Sequence, residues 1–194
     1  MLRRAGRIAT LLAAVLTMGL LTTGSLAIAR GRDNSSNQRG LVRQHCTARQ
    51  FSAWDEQSLM TSIEGDRFEI QGGRLAQQRS DSRAIRALGA TLVADHGRSL
   101  AEAAKLARRL GIAVPSEPSP TQQWELKTIA TFSGGEFDRR YADLEVLDHM
   151  QDISETRAAS EDGCNASLRR NARRDLPVLE RHLDLSQRAL RAVS

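Results

Sequence analysis

The chain has 194 residues, enough for one domain with a real core once its first segment is set aside. It carries 28 Lys and Arg against 23 Asp and Glu, a formal charge of +5. Arg3, Arg4 and Arg7 lie in that first segment, so 25 basic side chains face 23 acidic ones in the remainder, a surplus of two. Spread along helices, so small a surplus excludes the concentrated basic patch that nucleic acid requires.

Arg3, Arg4 and Arg7 precede an uncharged run from Ile8 to Ala29 that ends in Ala27-Ile28-Ala29. A charged start, an apolar middle and a small-residue end are the order of a cleavable export signal, assigned here to residues 1–29. An uncleaved membrane anchor is the alternative, because a run of about 20 residues just spans a bilayer. Thr17, Gly19, Thr22, Thr23, Gly24 and Ser25 dilute that run and favour cleavage. On either reading the folded part lies outside the cytoplasm, in the periplasm or its equivalent. Residues 30–50 read as a flexible linker, and 51–194 as a helical bundle domain. Cys46 and Cys164 are the only cysteines, too few for a disulfide framework but free to pair in an oxidising compartment.

From about Ser52 to Gln78 the pattern predicts a helix with Leu59, Ile63 and Ile70 on one side. Gly65, Glu69, Gly72, Gly73 and Ala76 form an adjoining strip of small residues from which Glu69 projects. A second helix is predicted from Ser82 to Leu110, with Gly111 as its stop. Its apolar stripe of Ile85, Leu88, Leu92, Ala103, Leu106 and Leu110 has His96 at its centre. Pro115, Pro118 and Pro120 then break the pattern, and Ser119 or Thr121 is placed to cap a short helix through Trp124, Leu126, Ile129 and Phe132. Ser133-Gly134-Gly135 reads as an interruption, followed by a helix from about Phe137 to Ser160 that Asp162-Gly163 ends. The last helix, roughly Asn165 to Ala192, carries a stripe of Leu168, Ala172, Leu176, Leu179, Leu183 and Leu190.

No stretch alternates with period two, so the fold class is all-α: a four-helix bundle with a long connection between its second and third long helices, which permits the ferritin-like crossover. Some 25 residues suffice to travel the length of a bundle, whereas a tight loop gives simple up-down topology. With such a crossover Cys46 and Cys164 become neighbours, and a native disulfide between them favours it.

Glu69, His96, His149 and His182 fall singly on the four long helices. For one histidine on an apolar face, a hydrogen-bonded core histidine is the ordinary explanation. Three on separate helices with a carboxylate point instead to a divalent metal ion, Fe, Zn, Mn or Cu. His149 shares its face with Asp138, Glu145 and Asp152, which reads equally as a wet charged surface, leaving Asp148 as the alternative inward acid. His182 follows Pro177 by about one turn, and that proline removes a helix hydrogen bond and can bend the helix inward. Glu69 has Arg74 as an alternative partner. The residues three before the histidines are Val93, Val146 and Leu179, so the Glu-x-x-His pairs of di-iron carboxylate bundles are missing. No serine or cysteine nucleophile sequence and no Gly-rich phosphate loop stands out, and no reaction is predicted.

The segments Phe68-Glu69-Ile70, Val93-Ala94-Asp95-His96, Phe137-Asp138-Arg139-Arg140-Tyr141, Asp148-His149 and Leu176-Pro177-Val178-Leu179-Glu180-Arg181-His182-Leu183 carry a resemblance. Over about Thr61 to Ala192 the chain resembles an exported bacterial family of ferritin-like domains, the domain-of-unknown-function family numbered 4142, often labelled membrane or exported proteins. The resemblance implies the ferritin-like fold and a Glu and His set matched by Glu69, His96, His149 and His182. Where the family commonly has a second acidic residue two positions after the first, this chain has Gln71.

Two functions are therefore expected: an exported metal-binding bundle concerned with envelope metal handling or oxidative stress, or a non-metal helical envelope module with a structural or interaction role. The expected partners exclude nucleic acid and leave open a homodimer and membrane anchoring through the N-terminal segment.

Overall fold

The computed structural model describes Cys46 and residues 51–194, all in one compact unit; the expected export segment 1–29 and nearly all of the expected linker 30–50 lie outside the described residues. Five helices follow in order: α1 Ala53–Arg79, α2 Arg83–Leu110, α3 Pro120–Ile129, α4 Gly134–Asp162 and α5 Ala166–Val193. None of the described helices is long and apolar enough to cross a membrane.

Local chemistry sets the helix ends. Ser52 caps α1 through a reciprocal pair with Asp55, Ser119 caps α3 the same way with Gln122, and Asn165 caps α5 by accepting from the amides of Ser167 and Leu168. Gly111 closes α2 in the left-handed conformation, at φ 75°, and Ile112 donates back to Ala107. The expected break at Ser133-Gly134-Gly135 shrinks to the cap residue Ser133, because both glycines already belong to α4. Gly134, at φ 56°, takes the left-handed turn there that other residues resist.

Helices α1 and α2 form one antiparallel pair through Ser80–Ser82, and α4 and α5 form another through Gly163–Asn165. The pairs face each other, α1 against α4 and α2 against α5. The small-residue strip explains the intimacy of the first pair. A Cβ on Gly73 would stand 2.6 Å from the carbonyl oxygen of Gly89, and one on Gly89 would stand 2.5 Å from that of Gly73. Each glycine costs about 1 kcal/mol of helix propensity, and the close backbone contact it permits is what offsets that cost.

Cys46 and Cys164 form a disulfide, with Cα atoms 5.2 Å apart. Beside it the buried Asp55 carboxylate accepts from the backbone amides of Cys164 (2.9 Å) and Asn165 (3.3 Å). The start of α1 is thereby fastened to the turn between α4 and α5. Residues 111–133 run beside α1: Arg67 donates to the carbonyl of Pro115 (2.6 Å), Gln71 to the carboxylate of Glu117 (3.3 Å) and Arg79 to the carbonyl of Ala130 (2.7 Å).

Two apolar layers result. Near the disulfide, Leu59, Ile63, Ala103, Leu106, Ala107, Ile112 and Leu168 pack together. At the opposite end Ala76, Ile85, Leu88, Leu92, Ile129, Phe137, Tyr141, Ala142 and Ala189 do the same. Between them lies a buried polar waist that includes Asp66, Glu69, His96, Glu145, His149 and His182.

Candidate metal centre

Three of the four expected ligands meet at this waist. One nitrogen from each of His96, His149 and His182 lies within 4.8 Å of one nitrogen from each of the others. The ring centroids are 5.8 Å apart for His96 and His149, 5.1 Å for His96 and His182, and 5.3 Å for His149 and His182. His182 thus reaches the level of His149, although it lies further along the chain from their shared turn. Residue counts along two helices measure depth only to within the reach of an imidazole, and Pro177 sits inside α5 one turn before His182.

Each ring is held by one nitrogen only. His96 Nδ1 lies 2.8 Å from Asp66 Oδ1, and His182 Nε2 lies 2.9 Å from Asp95 Oδ2. His149 Nδ1 donates to the backbone carbonyl of Glu145 at 2.8 Å. A carbonyl only accepts, so the proton of neutral His149 is on Nδ1; the carboxylates fix the other two tautomers in the same way. The remaining atoms, His96 Nε2, His149 Nε2 and His182 Nδ1, are buried and have no hydrogen-bond partner. These three nitrogens are the ones left to accept a proton or a cation.

Asp95 has further partners in Arg98 and Arg181. Burial raises its carboxyl, but the bond to His182 and the two guanidinium groups outweigh that and hold it below its ordinary value. Burial pushes His149 down to about 3 and His182 to about 4, aided by the nearby His96. Both rings are neutral near pH 7, the state in which imidazole ligates a metal.

The set fits a nitrogen-preferring ion. A centre bound at about 2.0–2.1 Å requires nitrogens roughly 3.3 Å apart in tetrahedral geometry, so the rings have only to close slightly. Hydrogen-bonding the outer nitrogen to a carboxylate or carbonyl is how metal-binding histidines are commonly oriented. A pocket of about 840 Å³, partly open to solvent, borders the centre through His96 and His182, and Asp66, Asp95, Asp152 and Asp175 also line it.

Glu69, the fourth expected ligand, groups instead with Glu145 and His149. Its oxygen lies 3.8 Å from His149 Nδ1, on the anchored side of the ring, and that of Glu145 lies 3.7 Å away. Arg74 is exposed, and neither Glu69 oxygen has a hydrogen-bond partner. The face shared by His149, Asp138 and Glu145 is buried and not the wet surface that remained an alternative. Burial, then the charges of Glu145 and Asp148, push the Glu69 carboxyl well up, and burial pushes Glu145 to about 7.

Sequence reasoning did not single out Asp66 or Asp95 as histidine anchors. The available signal was their offset, Asp66 one turn before Glu69 and Asp95 beside His96, but an offset cannot say which ring a carboxylate meets.

Fold and site together define an all-helical bundle with a buried histidine and carboxylate waist. A family model described as Domain of unknown function (DUF4142) matches residues 41–189, and the chain belongs to that family. Among solved structures, it is similar to a DUF305 fragment from Deinococcus radiodurans at 14% identity and a TM-score of 0.64, covering 72% of this chain and 97% of that one. It is also similar to a protein from Streptomyces coelicolor described as a "putative secreted protein DUF305", at 16% identity and a TM-score of 0.61, covering 73% of this chain and 92% of that one. At these identities the likeness shows the fold alone. None of the curated proteins matches this sequence.

Proposed function

We propose that this chain is an exported, ferritin-like four-helix protein that binds one divalent transition-metal ion through His96, His149 and His182. The observation that carries the reading is the set of three buried, partnerless imidazole nitrogens, each on a ring oriented by its other nitrogen. Unpaired buried polar atoms each cost about 1–3 kcal/mol, so three lone pairs facing one another are costly until a cation joins them. Nitrogen ligands favour Zn or Cu over Mn, with Fe intermediate.

The ferritin-like reading draws support from the path of residues 111–133 beside α1 and from the disulfide that ties the start of α1 to the α4–α5 turn. Export rests on the charged and apolar order of residues 1–29. A role in holding or passing metal in the envelope suits a centre this deeply buried.

Metal analysis of untagged protein tests the proposal. One Zn or Cu per chain is expected, lost in His96→Ala and His149→Ala with helical content unchanged. Protein that takes up no stoichiometric metal, and whose thermal stability ignores added Zn, Cu, Fe and Mn, supports the alternative of a non-metal structural or interaction module.

A further inference from the structure

A second set of ligand-type atoms lies on the anchored side of His149. Glu69 on α1 and Glu145 on α4 each bring a carboxylate oxygen within 4.8 Å of the other and of a His149 nitrogen. The Asp148 carboxyl lies against that of Glu69. Both oxygens of Glu69, Oε2 of Glu145 and Oδ2 of Asp148 are buried without a hydrogen-bond partner. Tyr141 supplies an independent observation. Its hydroxyl is fully buried without a well-formed hydrogen bond, and the carboxyls of Glu145, Glu69 and Asp148 lie around it, that of Glu145 within its reach. Gly72 borders this space, since a Cβ there would make ordinary contact, at 3.6 Å, with both Glu145 Oε1 and the Tyr141 ring.

The charged groups that act most strongly on Glu69 are the carboxyls of Glu145 and Asp148. Isolated buried carboxylates are too costly to stay ionised, so this cluster is completed either by shared protons or by a cation. Shared protons answer the charge pair by pair, as between Glu69 and Asp148 and between Tyr141 and Glu145, but give the surplus acceptor oxygens no common partner. A cation answers all of them at once.

We propose a second cation site at Glu69, Glu145 and Asp148, with the Tyr141 hydroxyl beside it, distinct from the three-histidine centre and adjoining it through His149. The proposal deepens the metal-centre reading, on which it rests for the adjoining ion, but it has its own ligands. The donors are hard oxygens, which suit Mn2+ or Fe2+ more than the late metals favoured by three imidazoles. Mg2+ retains several waters and Ca2+ takes six to eight oxygens, and a closely packed set of three carboxyls suits neither. The waist would then hold two unlike ions side by side, one on nitrogen and one on oxygen.

Mn2+ is the probe. The full chain is first loaded with one equivalent of Zn2+ and then titrated with Mn2+, free Mn2+ being followed by its six-line electron paramagnetic resonance signal. One Mn2+ per chain is expected to be taken up beside the retained Zn2+. Uptake should weaken at least tenfold in Glu69→Gln and in Asp148→Asn, both of which keep side-chain volume and remove a charge. Circular dichroism confirms that each variant is folded, and either one suffices if the other is not. Zn-loaded protein that binds no Mn2+, or binds it equally well in a folded Glu69→Gln or Asp148→Asn variant, overturns the second site while leaving the histidine centre standing. Zn2+ uptake that survives His96→Ala but is lost in Glu69→Gln overturns the first reading and with it the assignment of unlike ions.

Discussion

The two ends of the bundle and its waist are built on opposite rules. At the disulfide end Leu59, Ile63, Leu106 and Leu168 pack in an apolar layer, and at the far end Ile85, Leu92 and Phe137 do the same. The waist buries Asp66, Glu69, His96, Glu145, His149 and His182, and most of their inner atoms face one another unpaired. Each fully buried aliphatic or aromatic side chain at the ends contributes about 1.5–3 kcal/mol, while each unpaired polar atom at the waist costs about 1–3 kcal/mol. The ends thus hold a waist that would not form by itself. A local conflict of this kind, inside a fold otherwise consistent at every level, is where function is expected.

Several substitutions would break or sharpen this contrast. Phe137→Ala should cost about 3–5 kcal/mol and Leu59→Ala about 2–5 kcal/mol in denaturant unfolding, with metal stoichiometry unchanged in the folded fraction. If either lost metal without losing stability, ends and waist would not be separable. Chelation should act on the waist alone. Metal at about 1,000 times its Kd adds about 4 kcal/mol, so stripping it should lower Tm by roughly 10 °C in the native chain and leave His149→Ala unmoved.

The anchors come next. Asp95→Asn and Asp66→Asn should weaken metal binding about 10–100-fold while leaving the helical spectrum intact, because each carboxylate orients a ring without being a ligand. Equal affinity in titration calorimetry would show that packing alone sets those rings. Glu69→Gln should change the Tm of metal-free protein little at neutral pH, since burial and the neighbouring carboxyls push the Glu69 carboxyl well up and keep it uncharged. A lower Tm would mean that shared protons already satisfy the cluster.

The smallest effect concerns pH. Burial raises Asp175, beside the cavity, from the usual 3.8 to about 6 against the opposing pull of Arg174. The folded state therefore holds this proton more tightly than the unfolded chain. Its contribution is fully present below about pH 3.8 and is lost as pH rises through about 6. Comparing Tm between pH 4 and 7, Asp175→Asn should remove that part of the decline; identical slopes would refute it.

Much of the helical order was legible because caps and stops are local chemistry. Asn165 and Gly111 act where the spacing of polar and apolar residues placed them, and the strip of Gly65, Gly72, Gly73 and Ala76 is buried as its small side chains implied. Ser133-Gly134-Gly135 was misjudged, since glycine disfavours a helix interior but is tolerated in a first turn. His149 was ambiguous for a different reason. Acidic neighbours on one face look the same whether they meet water or one another, and here Glu145 meets Glu69 and Tyr141.

Helical periodicity is a property of neighbours in the chain, so the all-α class of the domain, the course of its long helices and a metal-type residue on each were legible from sequence, with the facing of His149 left open. Only the tertiary structure decided that the three histidines share one point, that Asp66 and Asp95 orient two of them, and that Glu69 turns to Glu145 and Asp148. Periodicity states which face a side chain occupies. The depth and rotation at which two faces meet depend on how whole helices pack, and contacts such as Gly73 against Gly89 set that packing.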